Sequence, residues 1–315
     1  MCGNFWLYLE KICMAVKTEF SIKDLENLSG VKAHTIRIWE KRYALLEPNR
    51  TDTNIRNYDM SNLTKLLNAT FLYRQGFKIS KIAELQHDEI ERLIAESELD
   101  QTNHYALHLF KQSMFEFDHH LFNKTYKKLA KKETFDFIFF DLFMPLLNEI
   151  GLLWQTGTID PVHERFISEL IKQKIIENIV HSQEEMAQNV SPTFALFLPY
   201  EEIHEIGLLY ANYILLSEGL QTLYLGSNIP LDNLKHLTKH YSDITFFSYF
   251  TVKPDEQSVE NYVKDFYKQV KPASKYPLWL MGYKLKDIAV GDLGKNIQII
   301  HHLKELRRFV QSQKV

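Results

Sequence analysis

Cysteine, proline and glycine are all scarce in this chain of 315 residues, with 2 Cys, 9 Pro and 11 Gly. Two cysteines build neither a disulfide framework nor a zinc finger, so the chain reads as cytoplasmic. So little glycine and proline excludes a collagen-like or a Pro/Gly-rich disordered chain. A strong charge of one sign is also missing. The 37 Lys and Arg face 40 Asp and Glu, a net charge of -3, which excludes a uniformly basic coat for nucleic acid. No stretch reaches the ~20 uninterrupted apolar residues of a membrane span. The nearest run, 137–147, carries Asp141 and Pro145, and no membrane partner is expected.

The first residues, MCGNFWLYLEKIC, have an apolar patch without a leading positive charge, a poor signal peptide. Translation is expected to begin at Met14. Residues 1–13, which hold Cys2 and Cys13, then form a non-native or disordered extension. The remaining charge is uneven. Residues 14–85 carry a net +4 and residues 86–315 a net -7. A basic head on an acidic body suggests a head, 14–86, that faces nucleic acid.

Residues 87–181 read as a helical bundle. Phe137, Phe140, Asp141, Met144, Leu147 and Ile150 recur at helical steps, and so do Phe166, Leu170, Ile171, Lys174, Ile175 and Ile179. A polar linker, 182–192, ends at Pro192. The rhythm then changes over 193–315. Strands are expected at 193–199, 222–226, 244–250, 278–282 and 297–301. Crossovers are expected at 202–218, 230–241, 256–270 and 285–291, and a closing helix at 302–313. Five strands alternating with helices predict a parallel, doubly wound sheet. The fold class is therefore multidomain, α followed by α/β.

In the head, Ser21 and Asp24 form a capping-box pair ahead of Ile22, Leu25 and Leu28. Gly30 supplies the turn, and a second helix over about 33–42 presents His34, Thr35, Arg37, Lys41 and Arg42. The run I-R-I-W-E-K-R-Y-A-L-L-E-P-N-R-T-D-T-N-I-R-N-Y-D, residues 36–59, resembles the MerR family of transcription regulators. The resemblance covers about 20–85. It implies a winged helix-turn-helix with the wing at about 43–58. It also implies a DNA face of His34, Thr35, Arg37, Lys41, Arg42, Tyr43, Arg50, Arg56 and Tyr58, with Arg50 and Arg56 on phosphates and Tyr58 packed beside them. Ala44 and Asn54 stand where glycines are usual, and Asn tolerates the positive φ of a wing turn. Lys32 stands where a capping Ser is usual, which predicts a weaker start for the second helix.

In the body, P-Y-E-E-I-H-E-I-G directly follows the first predicted strand, at the carboxyl edge where open α/β sheets bind ligands. His204 lies at that edge. Glu202 can hold its other ring nitrogen, and Gly207 permits close backbone approach. The E-x-H-x-x-G pattern resembles the cobalamin-binding signature, and N-E-I-G-L-L-W followed by Glu164 resembles the helical cap of light-sensing cobalamin regulators. The resemblance implies cobalamin as cofactor, with His204 as metal ligand in place of the cofactor's own nucleotide base. Trp154 and Glu164 would lie over the upper face with His163 as a further cofactor-binding residue, Gly207 would let backbone and ligand approach, and Ser248 and Gly282 would stand in the tail-binding signature. His163 precedes Glu164 where the family has it following. Tyr283 replaces the second glycine of a pair and is expected to fill the tail's slot. The adjacent histidines 119–120 and 301–302 are expected to point apart on the surface.

The chain is thus read as a cytoplasmic, MerR-type repressor or activator, and not as an enzyme. Its partners are a double-stranded DNA operator, a small-molecule ligand and further copies of itself. The alternative is a MerR-type regulator whose degenerate sensor domain binds another small molecule or a protein. A cobalamin-dependent methyl carrier or mutase subunit suits the second half alone, and the basic head argues against it.

Overall fold

The computed structural model describes residues 17–96, 102–184, 192–255, 257–270, 276–288, 293–294 and 296–313. The proposed start at Met14 and most of the expected linker lie outside these residues, as does the end of the 285–291 crossover. The chain divides into two compact units, with the division between Leu170 and Ile171.

The first unit opens with a small antiparallel sheet of β1 (Glu19–Phe20), β2 (Asn49–Arg50) and β3 (Arg56–Asp59), ordered β1-β3-β2. Helix α1 (Ile22–Ser29) starts at the expected capping box. The Asp24 amide donates to Ser21 Oγ at 3.2 Å, and the Ser21 amide donates back to the Asp24 carboxylate at 2.8 Å. Gly30, at φ 71°, ends it. Helix α2 (Ala33–Tyr43) follows and stops at Ala44, which holds φ 49°. Asn54 takes φ 61° in the wing turn between β2 and β3. Helix α3 (Met60–Arg74) begins at Asp59, whose side chain accepts the Asn62 amide. Phe20, Leu25, Ile36, Tyr58, Leu63 and Leu66 close this head around one buried core.

After a single turn, Ile79–Ile82, come α4 (His87–Glu96), α5 (Thr102–Glu116), α6 (His119–Leu129), α7 (Phe135–Gln155) and α8 (Pro161–Glu184). Aromatic packing centres the bundle. Phe110 lies 4.9 Å from Phe122 and 5.4 Å from Phe143, ring centre to ring centre. The apolar face expected for α7 is corrected. Of that stripe only Ile150 is fully buried, and Asp141 is exposed. The buried face is Ile138, Phe139, Leu142, Phe143 and Leu146. Both stripes repeat at three- and four-residue steps, and in a helix this rich in apolar residues the period leaves open which of two neighbouring phases packs inward; residues Ile138–Phe143 are π-helical. By length and composition α7 is apolar enough to cross a membrane. In this fold Phe139, Phe143 and Leu146 are fully buried, and it forms the bundle's core.

Head and bundle meet inside this unit. Asn27 donates to Thr158 Oγ1 at 2.9 Å, and Lys17 Nζ donates to the Gly157 carbonyl at 3.1 Å. His108 of α5 stacks on Phe71 of α3 at 4.9 Å and pairs through Nε2 with Asn68 Oδ1 at 2.9 Å.

The second unit is an all-parallel sheet of β4 (Thr193–Phe197), β5 (Gln221–Gly226), β6 (Ile244–Tyr249), β7 (Leu278–Met281) and β8 (Ile297–Ile300). Its order, β5-β4-β6-β7-β8, is the doubly wound, flavodoxin-like one. Helices α9 (Ile206–Ser217), α10 (Val259–Gln269) and α11 (Leu303–Gln313) cross over or close it. The 230–241 crossover is shorter than expected, with only Leu231–Leu234 and a 3-10 turn at Leu237–Lys239. Phe197, Phe246, Phe266, Leu278 and Leu280 form its core.

Candidate DNA-binding face and cofactor site

Helix α2 starts without a cap of its own, because the Lys32 side chain makes no capping bond. Glu26 of α1 supplies one. Its Oε2 accepts the Ala33 amide at 3.0 Å, and its Oε1 accepts the Lys23 and Lys32 ammonium groups at 3.1 and 3.4 Å. The Ala33 bond first, and then the lysines, hold its carboxyl at about 2, below the ordinary 4.5. A carboxylate at that end also complements the helix dipole. The weak start expected at Lys32 is therefore corrected. The signal for it in the sequence was an acid seven residues ahead of Ala33, on the preceding helix.

Along α2, His34, Arg37, Lys41 and Arg42 are exposed, whereas Thr35 and Tyr43 are half-buried. Ile36 and Trp39 face the core. Arg50 is exposed on the wing and donates to Asn54 Oδ1 at 2.6 Å. Arg56 is engaged within the head. Its Nε donates to Glu40 Oε1 at 2.9 Å, and the bond to Glu40 raises its pKa. The Tyr58 hydroxyl donates to Glu40 Oε2, also at 2.9 Å. Tyr58 is fully buried, so it packs the wing onto α2 and has no surface to offer DNA. Glu40 is the residue that sequence reasoning missed. It stands inside W-E-K-R-Y, and its role shows only once the wing folds back on it.

Glu202 and His204 lie between β4 and α9, at the carboxyl edge of the sheet. Glu202 is 1% exposed. Its Oε1 accepts the Ile203 and His204 amides and, at 2.5 Å, His204 Nδ1. Its Oε2 accepts the Val252 and Lys253 amides at 2.7 and 2.8 Å, from the loop after β6. Burial by itself would raise its pKa. The bonds from His204, Lys253 and Val252 outweigh burial and hold it at about 2. An ionised carboxylate only accepts, so Nδ1 carries the hydrogen and Nε2 is the nitrogen suited to a metal. The His204 side chain is 53% exposed, within reach of a bulky ligand.

Three further residues expected to bind the cofactor, Gly207, Ser248 and Gly282, are each in contact with other parts of the chain. A Cβ on Gly207 would lie 2.5 Å from Tyr249 Cζ and 2.8 Å from both Cε atoms, so the tyrosine ring rests on bare backbone. Ser248 Oγ is buried and donates to the Phe197 carbonyl at 3.0 Å. Gly282 sits at φ 122°, with the Phe250 backbone where its Cβ would be. Tyr283 is 70% exposed, so the expectation that it fills the slot is corrected.

In the first unit, Trp154 is 52% exposed and Glu164 accepts Ser168 Oγ at 2.9 Å. His163 is fully buried, stacked 5.0 Å from Phe117, and neither ring nitrogen has a partner among the described residues. Burial lowers its pKa, against a weaker opposing effect of Asp160. It is a neutral core residue and cannot touch a cofactor, which corrects its expected role. Successive helical side chains point about 100° apart, so with Glu164 outward His163 turns inward. His119 and His120 are exposed as expected, but their rings lie 3.9 Å apart rather than diverging.

Among the described residues no group of three or more His, Cys, Asp or Glu is placed to hold a metal. A single imidazole such as His204 suits a metal that arrives with most of its ligands, as in a corrin ring.

Residues 20–89 match the MerR HTH family regulatory protein model, and residues 106–177 match the B12 binding domain model. The chain is a MerR-type DNA-binding regulator with a B12-binding domain. It is 28% identical over 234 residues to the HTH-type transcriptional repressor CarH of Myxococcus xanthus, covering 70% of this chain and 75% of that one. In fold it is similar to a monomethylamine corrinoid protein of Methanosarcina barkeri. That likeness has 12% identity and a TM-score of 0.50, over 65% of this chain and 96% of the other. The B12 match falls on α5 to α8 of the regulator, and its Glu202–His204 pair lies beyond it. Cobalamin is its cofactor, and the donor set at His204 fits a corrinoid cobalt.

Proposed function

We propose that this regulator represses transcription by binding an operator as a homo-oligomer in the cytoplasm, without enzymatic turnover. Cobalamin held by His204 shifts the assembly and with it the affinity for DNA. The Glu202–His204 pair carries this reading: a buried, ionised carboxylate fixes one imidazole in its metal-binding tautomer, on the same chain as a MerR head. Residues 14–86 read the operator, residues 87–181 form a helical bundle of the cap type, and residues 193–315 hold the cofactor through His204. Trp154 and Glu164 are the cap residues, since both reach the surface. One head covers too little DNA for specificity, so paired half-sites and more than one copy are required. Arg37 and Arg42 face the bases, and Arg50 faces phosphate. Coupling requires that cobalamin bind one assembly state more tightly than the other. When bound through His204, cobalamin would supply a cobalt centre whose ligation can change.

The test is a visible spectrum after dark incubation with adenosylcobalamin and desalting, beside His204→Ala. Gel filtration and operator-DNA anisotropy are run on the same samples. Retained colour with a His-ligated spectrum, lost in the variant, is expected, together with a change in size and DNA affinity. A colourless wild type refutes the cofactor role, and an unchanged size and affinity refutes the coupling.

A further inference from the structure

Helices α3 and α5 turn matching stripes towards each other inside the first unit. The stripes are Leu67, Thr70, Phe71 and Arg74 on α3, and His104, Leu107, His108 and Lys111 on α5, both at helical steps. The two helices run antiparallel, since Thr64 meets Glu116, Asn68 meets His108 and Phe71 meets Tyr105. Arg74 therefore stands at the His104 end and Lys111 at the Leu67 end. A cavity of about 440 Å³ lies between the stripes, and Leu28 and Ser29 of α1 and Glu149 of α7 complete its wall. That volume suits a small organic molecule. None of these residues belongs to the Glu202–His204 site.

The polar groups of the cavity are unequal. At the Leu67 end Lys111 donates to Glu149 at 2.6 Å, so the charges there cancel. At the other end Arg74 donates to the Ser29 carbonyl at 3.0 Å and meets no carboxylate among the described residues. Between the ends Thr70 is 3% exposed, and its hydroxyl has no partner among the described residues. A buried donor without an acceptor costs free energy, which an acceptor on a ligand recovers. One unmatched cation, one buried hydroxyl and an apolar wall of Leu28, Leu67, Phe71 and Leu107 form the complement of a small monocarboxylic acid with an apolar body. We propose that this cavity binds such an acid, with its carboxylate at Arg74 and Thr70, and that its binding lowers the affinity of the head for DNA. Arg74 makes the connection. It holds Ser29 at the end of α1, and a Cβ on Gly30, in the turn before α2, would lie 2.9 Å from its Nη2. A carboxylate binds a guanidinium about twice as strongly as a neutral carbonyl does, so the acid draws Arg74 from the turn that sets α2.

The full chain is titrated by calorimetry with benzoate, octanoate and 2-naphthoate, each beside its uncharged alcohol. At least one acid is expected to bind with a Kd of about 1 mM or tighter, and at least ~10-fold more tightly than its alcohol. Thr70→Val keeps the shape of a side chain whose hydroxyl bonds to nothing described, so the fold tolerates it, and acid binding should weaken ~10-fold. Leu107→Trp fills the cavity without removing a charge and should abolish binding. Anisotropy with a random-sequence duplex, at an ionic strength held constant with chloride, should show at least ~5-fold weaker DNA binding in saturating acid, and Leu107→Trp should be indifferent to the acid. The site is overturned if none of the three acids reaches a Kd of about 1 mM, if acid and alcohol bind alike, or if Leu107→Trp binds undiminished. Unchanged DNA affinity in the saturated protein overturns the link to the head. Should Leu107→Trp fail to fold, Thr70→Val decides, with undiminished acid binding as the overturning result.

Discussion

Replacing Glu202 by Gln keeps the shape of the side chain and removes its charge. The carboxylate is 1% exposed and accepts five N–H groups, from Ile203, His204 twice, Val252 and Lys253. Its pKa falls from an ordinary 4.5 to about 2, which corresponds to roughly 3 kcal/mol in favour of the folded, ionised state. Because the folded value lies below the unfolded one, this stabilisation is complete above about 4.5 and is lost as the pH falls towards about 2. A glutamine also turns an NH2 group towards one set of donors. Each buried donor left without an acceptor costs about 1–3 kcal/mol. Glu202→Gln is therefore expected to lower hydrogen-exchange protection of the Val252 and Lys253 amides by ~100-fold at neutral pH. Urea unfolding of the same region should show the gap between wild type and variant shrinking in acid. Equal protection at neutral pH, or a gap that persists undiminished in strong acid, refutes the assignment of Glu202 as the ionised tie between the two loops.

Arg50→Ala should weaken binding to all DNA sequences alike and lower the salt slope by about 1, whereas Arg37→Ala should relax discrimination at one base position; anisotropy at several salt concentrations separates them. Gly282→Ala should destabilise the second unit by at least ~3 kcal/mol in urea melts, because φ 122° suits glycine and the Phe250 backbone fills the Cβ position. His108 has its pKa lowered to about 4, first by burial and then by Lys111, so the first unit should be most stable above 6.5 and weaken as the pH falls towards about 4. His108→Gln should flatten that dependence in urea midpoints, and an unchanged slope would place it elsewhere.

Much of the head was legible because its signals are local. The Ser21–Asp24 box, the Gly30 turn and the tolerance of Asn54 for positive φ each concern residues within a few positions of one another. The five strands were legible for the same reason, each a short β-rich run between turn residues. Four of the five expected strands ran one or two residues long at their carboxyl ends, and the strand expected at 222–226 begins one residue earlier, since pairing and not propensity sets where a strand starts and stops. Helix α7 was read on the wrong face because its apolar residues are so dense that two neighbouring stripes share one helical period, and only packing selected Ile138, Phe139, Leu142, Phe143 and Leu146. His163 was placed beside the cofactor by its proximity to Glu164, and helical geometry turned it into the core.

What the sequence determined by itself was the type and order of elements, the MerR motif, and the pairing of Glu202 with a histidine two residues away. Only the tertiary structure decided which groups meet across long stretches of chain. Glu26 caps a neighbouring helix, Glu40 takes up Arg56 and Tyr58, and Glu202 reaches amides 50 and 51 positions on. Tyr249 packs on the bare backbone of Gly207 whereas Tyr283 is exposed, a difference invisible in two tyrosines of equal chemistry. Backbone conformation depends on near neighbours, so a sequence carries it openly. A buried carboxylate or an aromatic ring settles wherever folding brings donors or a bare glycine to it, and that place exists only after the chain has closed.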